Sequence, residues 1–248
     1  IYFCLYQRGI YADISILDYG TMITELLDPS SKTYKIYPDY LLIWPTFRDI
    51  QKYKVSTKSE ISFWSSLWKI STKKNIKIFQ VLFDKPPYIN INNSYNSKKS
   101  NLISHINKTN IGLEKKYSKK ISFINIETLQ INIGAKDWHD DRIYSMCKQP
   151  FSFDALPEIS QFISSNIAAK IGKNKKVLIF DLDNTIWGGE IGDLGNKGII
   201  LGKETSEGED FINFQHYIKQ LGKNGIILAV CSKNQEKIAK NVFLKHPD

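Results

Sequence analysis

The chain has 248 residues, of which 42% are hydrophobic and 24% are charged, as in a globular protein with one large or two modest domains. No apolar run reaches the roughly 18–20 residues of a membrane-spanning helix, and no basic-then-apolar signal peptide opens the sequence. The net charge of +9 accompanies no nucleic-acid-binding motif, and the three cysteines lack metal or disulfide spacing. We therefore expect a cytoplasmic protein that binds neither nucleic acid nor a membrane.

Apolar runs alternate with amphipathic stretches along the first 150 residues. They predict strands at 12–17, 39–44, 75–83 and 121–126, and helices at 19–27 and 59–70. Between residues 90 and 120 the chain is polar, and we expect a loop and then an amphipathic helix through Leu102, Ile103, Ile106 and Ile111. Trp64 and Trp68 lie one helical turn apart, which predicts that both pack in the core.

The alternation continues with predicted helices at 157–169, 207–221 and 235–244, and buried strands at 177–180 and 226–231. It predicts an α/β fold with parallel sheets, and we expect Cys231 to be a buried thiol. A basic linker at 172–176 divides the chain, so we predict a domain over 1–150, a connecting helix and linker over 151–173, and a second domain over 174–248. We expect the first domain to be truncated at its N-terminus. Because two parallel strands cannot bury both faces of a sheet, we expect the second to be truncated at its C-terminus.

Two aspartates, Asp181 and Asp183, directly follow the apolar run at 177–180. Ligands bind at the carboxyl ends of strands in parallel α/β sheets, and residues two apart on an extended chain share a face. Neighbouring carboxylates repel each other unless a cation lies between them, and Mg²⁺ prefers such oxygen ligands. The alternative is a pair of turn aspartates that only cap the strand.

A second polar segment, Ser232-Lys233-Asn234, lies between the strand at 226–231 and the helix at 235–244. A hydroxyl and unpaired backbone N–H groups at a helix start suit a phosphoryl group, although the same pattern is typical of a plain N-cap. Between the two segments, the glycines of residues 188–202 predict a small hairpin, which is either a flap beside the site or purely structural.

Together, Asp181-x-Asp183-x-Thr185 and the strand before Ser232 resemble the first two motifs of the haloacid dehalogenase (HAD) phosphatases. The resemblance implies that Asp181 is the nucleophile that forms an aspartyl-phosphate, and that Asp183 protonates the leaving group and then activates water. It also implies an Mg²⁺ site at Asp181 and Asp183. The phosphate-binding residues that we predict are Ser232, Lys233, Asn234 and Thr185.

Longer runs at 149–157, 182–189 and 229–234 resemble the FkbH-like branch of that superfamily, subfamily IIIC. The branch implies an SGNH-hydrolase-like (flavodoxin-like) parallel-sheet domain, followed by the first part of a HAD Rossmann-like domain. Its members resemble enzymes that take a glyceryl phosphate donor, remove phosphate and load the glyceryl unit onto an acyl carrier protein. The resemblance therefore implies a phosphorylated small-molecule substrate and a carrier-protein partner.

The sequence also departs from these patterns. HAD chemistry needs a lysine and an acidic pair after the helix of the second motif. The sequence reaches Asp248 without either of them, so we expect this chain to be inactive by itself. The Gly-Asp-Ser block of SGNH hydrolases is absent, and we expect His139, in a polar run, to be solvated rather than catalytic. Three alternatives stay open: a stand-alone phosphatase of a small metabolite, a serine hydrolase in the N-terminal domain, and non-catalytic docking of a carrier protein by that domain.

Overall fold

The computed structural model describes residues 1–50, 56–87, 102–195 and 198–245. The chain divides into two units, Ile1–Lys173 and Asn174–Asp248. The loop predicted from residue 90 onwards lies outside the described residues up to residue 101. None of the helices in the described ranges combines the length and the apolar character that crossing a bilayer requires.

A parallel sheet of three strands, in the order β1-β2-β3, forms the centre of the first unit. Tyr40 pairs with Lys77, and Phe79 pairs with Ser122. Parallel neighbours need long crossover connections, and helices supply them here. The elements in chain order are α1 (Tyr2–Tyr6), α2 (Met22–Leu27), α3 (Lys32–Lys35), β1 (Tyr40–Ile43), a 3₁₀ turn (Phe47–Asp49), α4 (Thr57–Leu67), α5 (Lys69–Lys73), β2 (Lys77–Val81), α6 (Leu102–Tyr117), β3 (Ser122–Ile124), α7 (Glu127–Ile133), α8 (Ala135–Trp138), α9 (Asp141–Cys147) and α10 (Leu156–Lys170).

Alternate residues of β2 enter two separate apolar clusters, because successive side chains of a strand point to opposite faces of the sheet. Ile78 joins a cluster with Trp64 and Trp68, which are both buried as predicted. Phe79 and Val81 join a second cluster, to which α10 contributes Ile159 and Ile163. Helices therefore pack on both faces of this sheet, as the alternation of elements predicted.

Two predicted elements of the first unit differ from the structure. Residues 12–17 form no strand, and Ile16 is 86% exposed. The alternating pattern was wrong there because a strand needs a neighbour for its backbone hydrogen bonds, and the described part of the chain places none beside this segment. The helix predicted at 59–70 is divided at Trp68, whose indole donates a 2.6 Å hydrogen bond to the Gln80 side chain.

The second unit has two parallel strands, β4 and β5, in which Val177 pairs with Ile227 and Phe180 pairs with Val230. Its elements are β4 (Val177–Phe180), α11 (Ile191–Leu194), α12 (Ser206–Lys223), β5 (Ile227–Val230) and α13 (Glu236–Lys245). Leu178 and Phe180 pack against a core that includes Leu182, Ile186 and Trp187.

The opposite face of β4 is exposed in the described part of the chain, with Val177 48% and Ile179 64% exposed. Within the described residues of this unit, the prediction of buried strands was therefore wrong, since alternate residues of β4 and most residues of β5 are exposed. Cys231, which we expected in the core, is exposed directly after β5. An apolar run indicates a strand, but it does not show how many neighbours cover that strand.

Candidate active site

Asp181 is the first residue after β4, and its side chain is exposed at the carboxyl end of the sheet. One carboxylate oxygen, Oδ1, accepts a 2.7 Å hydrogen bond from the backbone N–H of Leu182. Leu182 itself is buried, so the apolar residue next in the chain anchors the aspartate at the strand end. The carboxylate is therefore fixed on one side and open to solvent, as an attacking nucleophile must be.

Asp183 accepts hydrogen bonds on both carboxylate oxygens. Oδ1 accepts from the Trp187 indole at 3.0 Å and from the backbone N–H of Ile191 at 3.2 Å, and Oδ2 accepts from the Asn234 amide at 2.7 Å. Burial by itself would raise the pKa of Asp183, but the hydrogen bonds from Asn234, Ile191 and Trp187 outweigh it and hold this pKa below its usual value. The three donors therefore stabilise the ionised form.

The segment after β5 brings Ser232 and Asn234 to the same end of the sheet as Asp183. The backbone N–H of Cys231 donates to the Phe180 carbonyl at 3.0 Å, which holds the two strand ends side by side. Ser232 Oγ accepts from the backbone N–H of Asn234 at 3.2 Å. Lys233 is exposed between them. The structure thus joins Asn234 directly to Asp183, across the two segments that the sequence singled out.

A tight turn follows Asp183. Asn184 adopts φ +52°, a left-handed conformation that asparagine tolerates better than most residues. Its side-chain Oδ1 accepts a 2.7 Å hydrogen bond from the Gly189 N–H, while the Thr185 N–H donates to the Leu182 carbonyl at 3.2 Å. Thr185 is half-buried in this turn, next to the aspartates.

The predicted hairpin begins at Gly188. Gly188 and Ile200 exchange two backbone hydrogen bonds, with N···O distances of 2.9 Å and 2.8 Å, and form an antiparallel bridge. The short helix α11 lies between these two residues, and its first residue supplies the Ile191 N–H that reaches Asp183. This segment therefore helps to hold the Asp183 carboxylate in place.

Gly188→Ala is expected to lower the free energy of unfolding of the second unit by about 1–3 kcal/mol, because overpacking strains a close contact. An added Cβ would lie 2.9 Å from Ile200 Cβ and 3.0 Å from Phe211 Cε2. Urea unfolding followed through the indole resonance of Trp187 measures the change. Gly192→Ala is the matched control, since its Cβ would meet only Asn234 Oδ1, at 3.7 Å. Equal stability of the two variants would contradict the expectation.

The donor set suits an Mg²⁺ ion that keeps several waters and binds through one or two carboxylates and substrate phosphate. Asp181 offers an exposed carboxylate. The side-chain oxygens of Asp183 already accept three N–H groups, which leaves its main-chain carbonyl as the better ligand. Nowhere in the described ranges do three or more His, Cys, Asp or Glu side chains gather around one point.

In the first unit, His139 is 7% exposed, so the expectation of a solvated side chain was wrong. Its Nδ1 lies 2.9 Å from the Pro150 carbonyl oxygen, and its Nε2 lies 3.1 Å from that of Lys85 and 3.3 Å from Asp84 Oδ2. Burial raises the pKa of Asp84, while the adjacent His139 opposes that rise. Both ring nitrogens are engaged by neighbouring backbone, so the arrangement favours a structural role.

Sequence reasoning did not identify two of the donors to Asp183, the Trp187 indole and the Ile191 N–H. A signal for the first was present, since a buried tryptophan N–H needs an acceptor and Asp183 lies four residues before Trp187. The second depends on the path of the hairpin, which carries no residue-level signal.

Comparisons with known proteins agree with this architecture. The family model described as FkbH, N-terminal domain, matches residues 4–168. A similar solved structure is the N-terminal part of the protein BF1531 from Bacteroides fragilis, which contains a phosphatase domain and was crystallised in complex with Mg. The two share 29% sequence identity and a TM-score of 0.85, over 99% of this chain and 68% of the other. No curated protein matches the chain.

Proposed function

The chain belongs to the FkbH N-terminal domain family, and from that premise we propose that its Asp181 carries out Mg²⁺-dependent phosphoryl transfer of the HAD type. The observation that carries the proposal is a hydrogen bond between the segments that follow β4 and β5. Asp183 lies two residues after the exposed Asp181, and it accepts a hydrogen bond from the side-chain amide of Asn234. Asn234 in turn lies two residues after Ser232, just beyond the end of β5. The phosphatase domain and the Mg of the similar B. fragilis structure support it.

The proposed reaction uses the site residues in sequence. The Asp181 carboxylate attacks phosphorus, a P–O bond forms, and the bond to the leaving group breaks, which gives an aspartyl-phosphate. Asp183 first takes up a proton, against the lowered pKa that its three donors impose, and delivers it to the departing oxygen as that bond breaks. It then takes a proton from the water that attacks the aspartyl-phosphate, which releases phosphate and restores the Asp181 carboxylate. Ser232 Oγ donates to a phosphoryl oxygen, and Thr185 and Lys233 are the other side chains that we propose for phosphate binding. Mg²⁺, when bound to Asp181, neutralises the negative charge of the phosphoryl group.

The finer proposal concerns the substrate and the partner. The resemblance to the FkbH-like branch favours a glyceryl phosphate donor and an acyl carrier protein that receives the glyceryl unit. The net charge of +9 is compatible with an acidic carrier, because opposite charges speed and orient encounter. We further propose that the first unit is the SGNH-like domain of this branch and that it docks the carrier.

The second candidate is a stand-alone phosphatase of a small phosphorylated metabolite. The exposure of Asp181 favours it equally, since an open nucleophile accepts small substrates as well as a carrier-bound one. The two candidates differ in the fate of the group that loses its phosphate, which is either captured by the carrier or released.

A loading assay separates the candidates. The full-length protein is incubated with Mg²⁺, a glyceryl phosphate donor and an acyl carrier protein, and both phosphate and carrier mass are measured. Carrier loading is expected to add one glyceryl unit to the carrier for each phosphate released. A carrier without its prosthetic thiol is the control and should gain no mass. Phosphate release with an unmodified carrier would support the second candidate, and no phosphate release under any condition would contradict both.

A further inference from the structure

Asn234 connects two residues that the proposed reaction uses at different points. Its Nδ2 lies 2.7 Å from Asp183 Oδ2 and 3.2 Å from Ser232 Oγ. Asp183 and Asn234 are separated by 51 positions in the chain, so this contact joins the end of β4 to the end of β5. A primary amide has two N–H groups, and these two contacts engage both of them.

The other oxygen of Asp183 is held by the segment after β4. The Trp187 indole donates to Oδ1, and Trp187 itself is buried and lies edge-on to Phe243, with ring centroids 5.8 Å apart. A ring fixed by packing is a rigid donor. Asn234 is thus the one side chain in this described network that restrains Asp183 from the β5 side, while Trp187 restrains it from the β4 side.

We propose that Asn234 is a positioning residue, which fixes the Asp183 carboxylate relative to the Ser232 hydroxyl instead of contacting the phosphoryl group itself. The inference rests on the proposed function, because it concerns the same site. It gives Asn234 a different role from the phosphate contact that the sequence predicted. An Asn234 amide turned towards phosphate would have to leave Asp183 or Ser232, and it would then no longer connect them.

Positioning has a kinetic consequence that binding does not share. A proton donor displaced by about 1 Å costs on the order of 10²-fold in rate, whereas loss of a ground-state phosphate contact raises KM. In the full-length protein, Asn234→Ala is therefore expected to lower kcat by about 10- to 100-fold and to change KM by less than about threefold. A rise in KM with unchanged kcat would overturn the proposal.

A spectroscopic measurement tests the positioning without turnover. The indole N–H resonance of Trp187, assigned by its loss in Trp187→Phe, reports the hydrogen bond to Asp183. Asn234→Ala and the nearly isosteric Asn234→Asp, which replaces the amide donor by an acceptor, are both expected to shift this resonance. Asn224→Ala is the matched control, because Asn224 is exposed at the other end of β5, and it should leave the resonance in place.

The two measurements separate failure of this inference from failure of the proposed function. An unchanged Trp187 resonance in both Asn234 variants would overturn the positioning role, whatever the enzyme does. A shifted resonance in a full-length protein that releases no phosphate would support the tie between Asp183 and Ser232 and would refute the proposed phosphoryl transfer. Far-ultraviolet circular dichroism of both variants checks that they fold, because Asn234→Ala loses side-chain volume and Asn234→Asp places a second carboxylate next to Asp183.

Discussion

In the full-length protein, Asp181→Asn is expected to lower kcat for phosphate release by at least roughly 10³-fold, as removal of a covalent nucleophile does. The amide oxygen of asparagine still accepts the Leu182 N–H, so the local backbone is preserved. The amide has no negative charge with which to attack phosphorus or bind Mg²⁺. Phosphate release at saturating substrate, measured with and without Mg²⁺, gives the comparison.

Asp210→Asn is the matched control for this variant. This control variant makes the same chemical change at an exposed residue of α12, outside the candidate site. Its kcat should stay within about twofold of the unchanged protein, because isolated surface substitutions are nearly neutral. Asp181→Asn activity within about tenfold of the unchanged protein would exclude Asp181 as the nucleophile.

Trp64→Ala is expected to reduce the free energy of unfolding of the first unit by about 3–5 kcal/mol, as truncation of a buried large aromatic side chain does. Trp64, on α4, is completely buried in the cluster that also contains Ile78 of β2 and Ile106 of α6. Its ring contacts Phe83 edge-on at 5.0 Å between centroids, and its indole donates a 2.8 Å hydrogen bond to Glu60. Truncation therefore removes packing and leaves a buried carboxylate with one donor fewer.

Two further variants separate the contributions to this loss of stability. Trp64→Phe retains most of the ring volume and removes the hydrogen bond to Glu60, so an intermediate loss is expected. Phe3→Ala removes an aromatic ring that is 66% exposed, and its effect should not exceed about 0.5 kcal/mol. Urea unfolding followed by far-ultraviolet circular dichroism measures all three, and a loss below about 1 kcal/mol in Trp64→Ala would be inconsistent with a core position.

Local sequence patterns predicted the elements of the fold where both faces of a sheet are covered. Strand β2 and helix α10 lie within the predicted ranges or within one residue of them, because their apolar spacing reflects burial directly. The same reasoning failed at residues 12–17 and at Cys231, where the pattern is apolar but the structure supplies no cover. Hydrophobic spacing indicates which face would be buried, and tertiary neighbours decide whether it is.

The candidate site shows a similar division. The location of Asp181, Asp183 and Ser232 at one end of the sheet was predictable, because they follow apolar strands and parallel strand ends meet at one edge. The hydrogen bond between Asp183 and Asn234 was not predictable, since it depends on the relative rotation of two loops. His139 was misjudged because the carbonyls that face its ring nitrogens, those of Pro150 and Lys85, lie 11 and 54 positions away in the chain.

Strand β4, which ends just before Asp181, has an exposed face and little protection against local opening, so its amide hydrogens should exchange with solvent faster than those of the doubly covered β2. A ligand that binds only the closed form slows such exchange, by the equivalent of about 2.7 kcal/mol at a hundred times its Kd. Deuterium uptake in β4 therefore reports directly on ligand binding next to Asp181. Candidate donors can be ranked by how strongly each slows deuterium uptake there, before any product has been identified.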